Sequence, residues 1–199
     1  MQHKIIGITG GLATGKTTVS QYLEEKYSLP ILDADLYARE AVQKGSEILA
    51  KIVAHYGSGI LQTDGELNRL KLGEIIFNQP QEKEWLESLI HPYVRKRFEE
   101  EIKACSSNII FLVIPLLFEA KMTDLVSIIW LIFCPYKEQI KRLQQRNNLS
   151  AAQAQQRIAS QWSLDVKKKL ADLVIENTGD LTYLYQQVDE AILALNPLK

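Results

Sequence analysis

Cysteine is scarce. Cys105 and Cys134 are the only two in 199 residues, and they form no C-x-x-C pair. That speaks against a disulfide-stapled scaffold and a cysteine-based zinc site, and it suits a reducing cytosol. Both are read as small buried apolar side chains. Long hydrophobic runs are also missing. The longest, Ile109 to Phe118, contains Pro115 and is about half the ~20 residues a spanning helix needs. No secretory leader is visible, so a cytoplasmic protein without membrane attachment is expected. The net charge of −1 lacks the one-signed excess that draws a whole protein to nucleic acid. There is no internal repeat, no low-complexity tract and no guanine-reading Asn-Lys-x-Asp, which argues against a GTPase switch. What remains is an ordinary globular composition, 46% hydrophobic and 24% charged. A chain of this length should bury roughly 70% of its unfolded surface.

Gly10-Gly11-Leu12-Ala13-Thr14-Gly15-Lys16-Thr17 fits G-x-x-x-x-G-K-[ST], a loop that cradles phosphate. Lys4 to Thr9 before it reads as a buried strand. Thr18 to Lys26 after it carries Val19, Tyr22 and Leu23 at helical spacing. The glycines let backbone amides approach phosphate oxygens, and the helix start adds free N–H groups. Residues 10 to 18 are therefore expected to bind ATP. Lys16 supplies a point charge for the β- and γ-phosphates, and the Thr17 hydroxyl is a candidate Mg²⁺ ligand. The loop does not name the acceptor.

Leu29 to Asp35 reads as a second strand ending in two acids. Asp33 should lie at the strand's carboxyl end, where open α/β sheets bind ligands. Such an acid can accept the proton of an attacking hydroxyl, hold Mg²⁺, or merely cap a helix. Asp35 fits the cap better. Residues 46 to 105 are mostly helical by pattern: Ser46 opens one helix that Gly57 ends, Leu67 to Phe77 gives another, and Pro80 starts a third that His91-Pro92 breaks. In and beside this helical stretch, Arg39 and Arg69 are the candidate cations for substrate phosphates; the competing reading of each is a plain surface charge. Ile109 to Ile114 and Ser127 to Cys134 are buried strands, Leu173 to Ile175 a last one, and Leu181 to Leu195 an amphipathic closing helix.

Residues 137 to 169 hold eight Lys or Arg against two acids, a balance of +6 that leaves −7 elsewhere. Arg142 and Arg146 share a helix face, and Ser150 to Gln153 is a capping box opening a helix with Arg157. Two short arginine-bearing helices joined at Asn147-Asn148 read as a lid over a triphosphate. The competing readings are a solvated basic face or a nucleic-acid patch, the latter with only Trp162 for stacking.

End to end, the chain resembles the dephospho-CoA kinase family. The resemblance rests on Gly10 to Thr18; Asp33-Ala34-Asp35 with Ala38-Arg39-Glu40; Leu67-Asn68-Arg69 with Ile76-Phe77; Leu89 to Pro92; Pro115 to Glu119; and Gln139 to Arg146 with Arg157, Gln161 and Lys168. It implies an α/β P-loop kinase fold, a parallel sheet with helices on both faces. The core is expected over about 1–34, 106–136 and 170–199, a helical acceptor-binding insertion over about 35–105 and a helical lid over about 137–169. It implies transfer of the ATP γ-phosphate to the ribose 3′-hydroxyl of dephospho-CoA, with Mg²⁺. Asp33 is the implied base. Lys16, Arg142 and Arg146 are the implied phosphate contacts. Arg39, Arg69, His91, Pro115 and Leu116 are the implied substrate contacts. A monomer that binds no nucleic acid is expected. Three positions depart from the family's pattern. Ala13-Thr14 replaces Gly-Ser and requires an ordinary negative φ at Ala13. Asn68 replaces an Asp, and Trp162-Ser163 replaces Met-Pro. The alternative is another P-loop nucleotide or small-molecule kinase.

Overall fold

The computed structural model describes residues 3–195. β1 (Lys4–Gly10) runs into the Gly-rich loop, and α1 (Lys16–Tyr27) leaves it. β2 (Ile31–Asp33) passes directly into α2 (Ala34–Ala41). Three helices follow: α3 (Glu47–Tyr56), α4 (Arg69–Asn78) and α5 (Pro80–Ala104). Then come β3 (Ile109–Val113) and β4 (Ile128–Phe133). The basic segment holds α6 (Tyr136–Asn147), α7 (Ala151–Ala159) and a short α8 (Leu164–Lys168) that the sequence did not announce. β5 (Leu173–Glu176) and α9 (Leu181–Leu195) close the described chain. By contacts the chain divides into two compact units, one from the segments up to Leu32 and from Ser106 onward, the other Asp33–Cys105.

The first unit is a parallel sheet with helices around it. Its strand order is β2-β3-β1-β4-β5. In register, Ile6 stands beside Phe111 and Ile128, and Ile8 beside Val113 and Trp130. Every residue of β3 is buried, as its unbroken apolar run predicts for a strand covered on both faces. One face presents Ile6, Ile8, Phe111, Val113, Trp130, Ile132 and Ile175 to Val19 and Leu23 of α1 and to Leu184, Val188 and Ile192 of α9. With period two along each strand, Ile110, Leu112 and Leu131 turn to the other face and are also fully buried. Because the strands are parallel, β1, β3, β4 and β5 all end at one edge, and the phosphate loop opens there.

The second unit is helical, around Val42, Leu49, Ile52, Ile60, Leu72 and Leu86. Its helices start where side chains cap them. The Ser46 hydroxyl accepts from the Leu49 N–H at 3.1 Å, and Asn68 Oδ1 accepts from the Lys71 N–H at 3.1 Å. Asn68 thus has a job that needs no charge, since Asn and Asp cap about equally well. The expected break at His91-Pro92 does not occur: α5 runs straight through Pro92. Pro92 has no N–H, so the Ser88 carbonyl loses its helical partner, at a cost of ~3 kcal/mol. Buried Leu86 before it and buried Val94 and Phe98 after it hold the helix together. Each such side chain contributes ~1.5–3 kcal/mol, so packing outweighs the proline.

No helix among the described residues is long and apolar enough to cross a membrane. Both cysteines are free thiols; Cys134 is buried, but Cys105 is only half-buried.

Candidate active site

The phosphate loop is built by what precedes and follows it. β1 ends at Gly10, and Gly15 enters α1 with φ of 103°, a left-handed conformation that glycine adopts without strain. No side chain caps α1, and its first turn has no acid. No side-chain oxygen of that turn therefore offsets the positive end of the helix, a setting that favours an anion. The Thr14 hydroxyl donates to the Gly11 carbonyl at 3.0 Å inside the turn. Lys16 Nζ lies over the loop, donating to the carbonyls of Gly11 at 2.7 Å and Gly10 at 3.2 Å. Thr17 is exposed in the first turn and Thr18 half-buried.

Ala13 does not have the negative φ expected of it; its φ is 57°. The peptide unit before it and the one after Thr14 are held in place: the Leu12 carbonyl accepts from Gln139, and the Thr14 carbonyl from Asn177. Left-handed backbone costs an L-residue ~1–2 kcal/mol. Ala13→Gly relieves that, less the ~0.5–1 kcal/mol of extra unfolded-state freedom glycine brings. The expected result is a melting temperature higher by about 1–3 °C in a thermal unfolding scan. A fall in melting temperature would show that Ala13 is unstrained.

Asp33 is the last residue of β2 and the N-cap of α2, its Oδ1 accepting from the Asp35 N–H at 2.7 Å. The cap role expected of Asp35 therefore falls to Asp33, because the helix begins at Ala34, two residues before the Leu36 start that a cap at Asp35 would give. Burial pushes the Asp33 carboxyl above its usual range, against backbone hydrogen bonds and the nearby Arg39, which pull it down. Arg39 and Arg69 meet. Arg69 Nη2 donates to the Arg39 carbonyl at 3.3 Å. Both side chains line a cleft of about 340 Å³ with Asp35, Val42, Leu72 and Leu86. This is an apolar hollow with two guanidinium groups, suited to a ligand with apolar and anionic parts. His91 sits beside the lining Ile90 but is not itself one of the lining side chains. Burial holds its imidazole below the usual histidine range.

Pro115 and Leu116 follow β3, both half-buried. The Pro115 carbonyl accepts from the Thr9 hydroxyl at 3.2 Å and from Lys167 Nζ at 3.1 Å. Lys167 is fully buried and pairs with Glu119 Oε1 at 2.8 Å, which also accepts from the Trp162 N–H. The Trp162 ring lies parallel to Phe118. Arg142 and Arg146, expected as a pair, have different surroundings. Arg142 is half-buried, with Nε on Glu138 Oε1 at 2.8 Å and Nη2 on the Asn177 carbonyl at 3.1 Å. Arg146 is exposed, with Nε on Asn147 Oδ1 at 3.0 Å. Arg157 is exposed on α7, which the predicted capping box at Ser150 opens.

Sequence reasoning missed Gln139, Asn177 and Lys167 as individuals. The signal was faint: Gln139 lies on the polar segment of α6 and Asn177 in what reads as a plain Asn-Thr-Gly turn.

The dephospho-CoA kinase family profile matches residues 4–182. A dephospho-CoA kinase of Trichormus variabilis is 55% identical over 192 residues, covering 96% of this chain and 98% of the relative. Among solved structures, TT1252 from Thermus thermophilus aligns with a TM-score of 0.85 and 32% identity over 100% of both chains. Dephospho-CoA kinase from Campylobacter jejuni aligns with a TM-score of 0.69 and 28% identity over 96% of both chains.

Proposed function

The chain belongs to the dephospho-CoA kinase family, and from that premise we propose that it transfers the ATP γ-phosphoryl to the ribose 3′-hydroxyl of dephospho-CoA. The products are CoA and ADP. The observation that carries this reading is the near-full-length family match, on a chain whose uncapped α1 follows a loop with an overlying lysine.

The chemistry divides among named residues. Amides of residues 10 to 18 and the Lys16 ammonium take the phosphates. Asp33 takes the 3′-hydroxyl proton as the new O–P bond forms and the bond to the ADP oxygen breaks. A carboxyl raised by burial suits that task, since a base works best with a pKa nearer the working pH. Arg142 and Arg146 supply positive charge as the phosphoryl moves. The cleft of Arg39 and Arg69 receives acceptor groups, with His91, Pro115 and Leu116 as further contacts. Mg²⁺ arrives with ATP. It is ordinarily held by phosphates and one or two protein oxygens, and the exposed Thr17 hydroxyl is the loop oxygen suited to it. When bound it neutralises phosphate charge. A cytoplasmic monomer acting on no nucleic acid completes the reading; the free thiols suit a reducing compartment.

The test is ADP release with ATP, Mg²⁺ and dephospho-CoA, run beside AMP, shikimate and no acceptor. Release with dephospho-CoA alone, matched by CoA, is expected. Release with another acceptor would keep the loop and discard the substrate.

A further inference from the structure

We propose that Gln139 and Asn177 are positioning residues for phosphate transfer, setting the direction of the loop amides from behind. The proposal rests on the loop holding the ATP phosphates. Gln139 is only 2% exposed and Asn177 8%. Buried amides need partners, and both spend a donor on the loop. Gln139 Nε2 donates to the Leu12 carbonyl at 2.8 Å, and Asn177 Nδ2 donates to the Thr14 carbonyl at 2.8 Å.

In a trans peptide unit the C=O and the next N–H point in opposite directions. Drawing the Leu12 carbonyl back toward Gln139 therefore turns the Ala13 N–H forward. Drawing the Thr14 carbonyl toward Asn177 does the same for the Gly15 N–H. The unusual φ of Ala13 lies between these two fixed units. Asn177 is itself anchored: its N–H donates to the Phe133 carbonyl at 2.7 Å, and its carbonyl accepts from Arg142 at 3.1 Å. Gln139 and Arg142 are three apart on α6 and so share a face. One helix of the basic segment thereby holds the loop both directly and through Asn177.

The glycines support this. Gly11 has no positive φ, so its backbone does not require glycine. A Cβ there would run into the Gln139 amide, and a Cβ on Gly15 would run into the Asn177 amide. These two glycines leave room for the side chains behind the loop, and not only for a phosphate in front.

The experiment is a double-mutant cycle. ATP binding to the wild-type protein is measured first by calorimetry; its absence would sink the loop reading itself. KM for ATP, KM for dephospho-CoA, kcat and melting temperature are then measured for Gln139→Ala, Gly11→Ala and the double variant. Gln139→Ala should raise KM for ATP roughly 10-fold and Gly11→Ala roughly 100-fold, the scale of an ångström-sized misplacement. The double variant should resemble Gln139→Ala, because the clash has gone with the amide. Multiplied effects would overturn the proposal, since they would mean Gly11 serves the phosphate alone. Gln139→Met and Asn177→Leu keep size but lose the donor. Each should raise KM for ATP while KM for dephospho-CoA stays within about twofold, a split that general loosening does not produce. Asn177→Asp reverses the donor and should be worse than Asn177→Leu. Unchanged KM for ATP in both Gln139→Met and Asn177→Leu would equally overturn the proposal.

Discussion

Asp33→Asn should lower kcat roughly 10²–10⁴-fold, the usual contribution of a positioned base. The substitution separates chemistry from structure because Asn caps a helix about as well as Asp. The hydrogen bond from the Asp35 N–H, and with it the start of α2, should survive. Stability moves the opposite way from activity. Burial raises the Asp33 pKa in the folded chain, so its protonation favours folding at low pH. That contribution is fully present below the unfolded pKa and is lost as pH rises through the folded pKa. At neutral pH the charged carboxylate is therefore a mild burden, and Asp33→Asn should melt no lower than the wild type. The pH profile gives a second reading. If the carboxylate is the active form, kcat/KM falls as pH drops through the raised pKa, above the usual aspartate range, and the asparagine variant lacks that limb. Wild-type kcat with an unaltered acid limb would leave Asp33 only its cap.

The parts of this protein that are legible in sequence are those whose cause is local. The phosphate loop lies in one contiguous stretch, and its glycines and lysine act within a few residues of one another. The caps at Ser46 and Ser150 and the stop at Gly57 are local for the same reason. The buried strands are readable because burial on both faces demands an unbroken apolar run, as in β3. What escaped depends on distance along the chain. Gln139 reaches a carbonyl 127 residues away and Asn177 one 163 residues away, and no spacing rule links such positions. The Lys167 to Glu119 pair is hidden similarly: a lysine in a basic run looks solvated until the fold buries it. Pro92 and Ala13 are the reverse case. Each breaks a local rule correctly stated, and tertiary contacts override it, through packed side chains around Pro92 and two held peptide units around Ala13.

Lys16→Ala should lower kcat roughly 10²–10³-fold, the scale seen when one preorganised donor to a developing charge is removed. The ammonium is preorganised: Nζ is held by the Gly10 and Gly11 carbonyls, so it is already over the loop before phosphate arrives. Two carbonyls without it leave the loop more negative as well as less positive. ATP affinity should fall less than kcat, because the amides of the loop and of α1 still bind the ground state. Lys16→Arg should rescue poorly, since a planar fork does not replace a compact point charge between two carbonyls. The discriminating step combines the two large effects. In the proposed reaction Asp33 would act on the attacking hydroxyl and Lys16 on the phosphoryl being transferred. If both serve one transition state, the Lys16→Ala/Asp33→Asn variant loses less than the product of the single losses. With the phosphoryl no longer held in line, the base has nothing left to assist. Fully multiplicative losses, measured by single-turnover phosphoryl transfer, would mean that the two residues act on separate steps. An unchanged kcat in Lys16→Ala alone would dismantle the phosphate-loop assignment from which both predictions start.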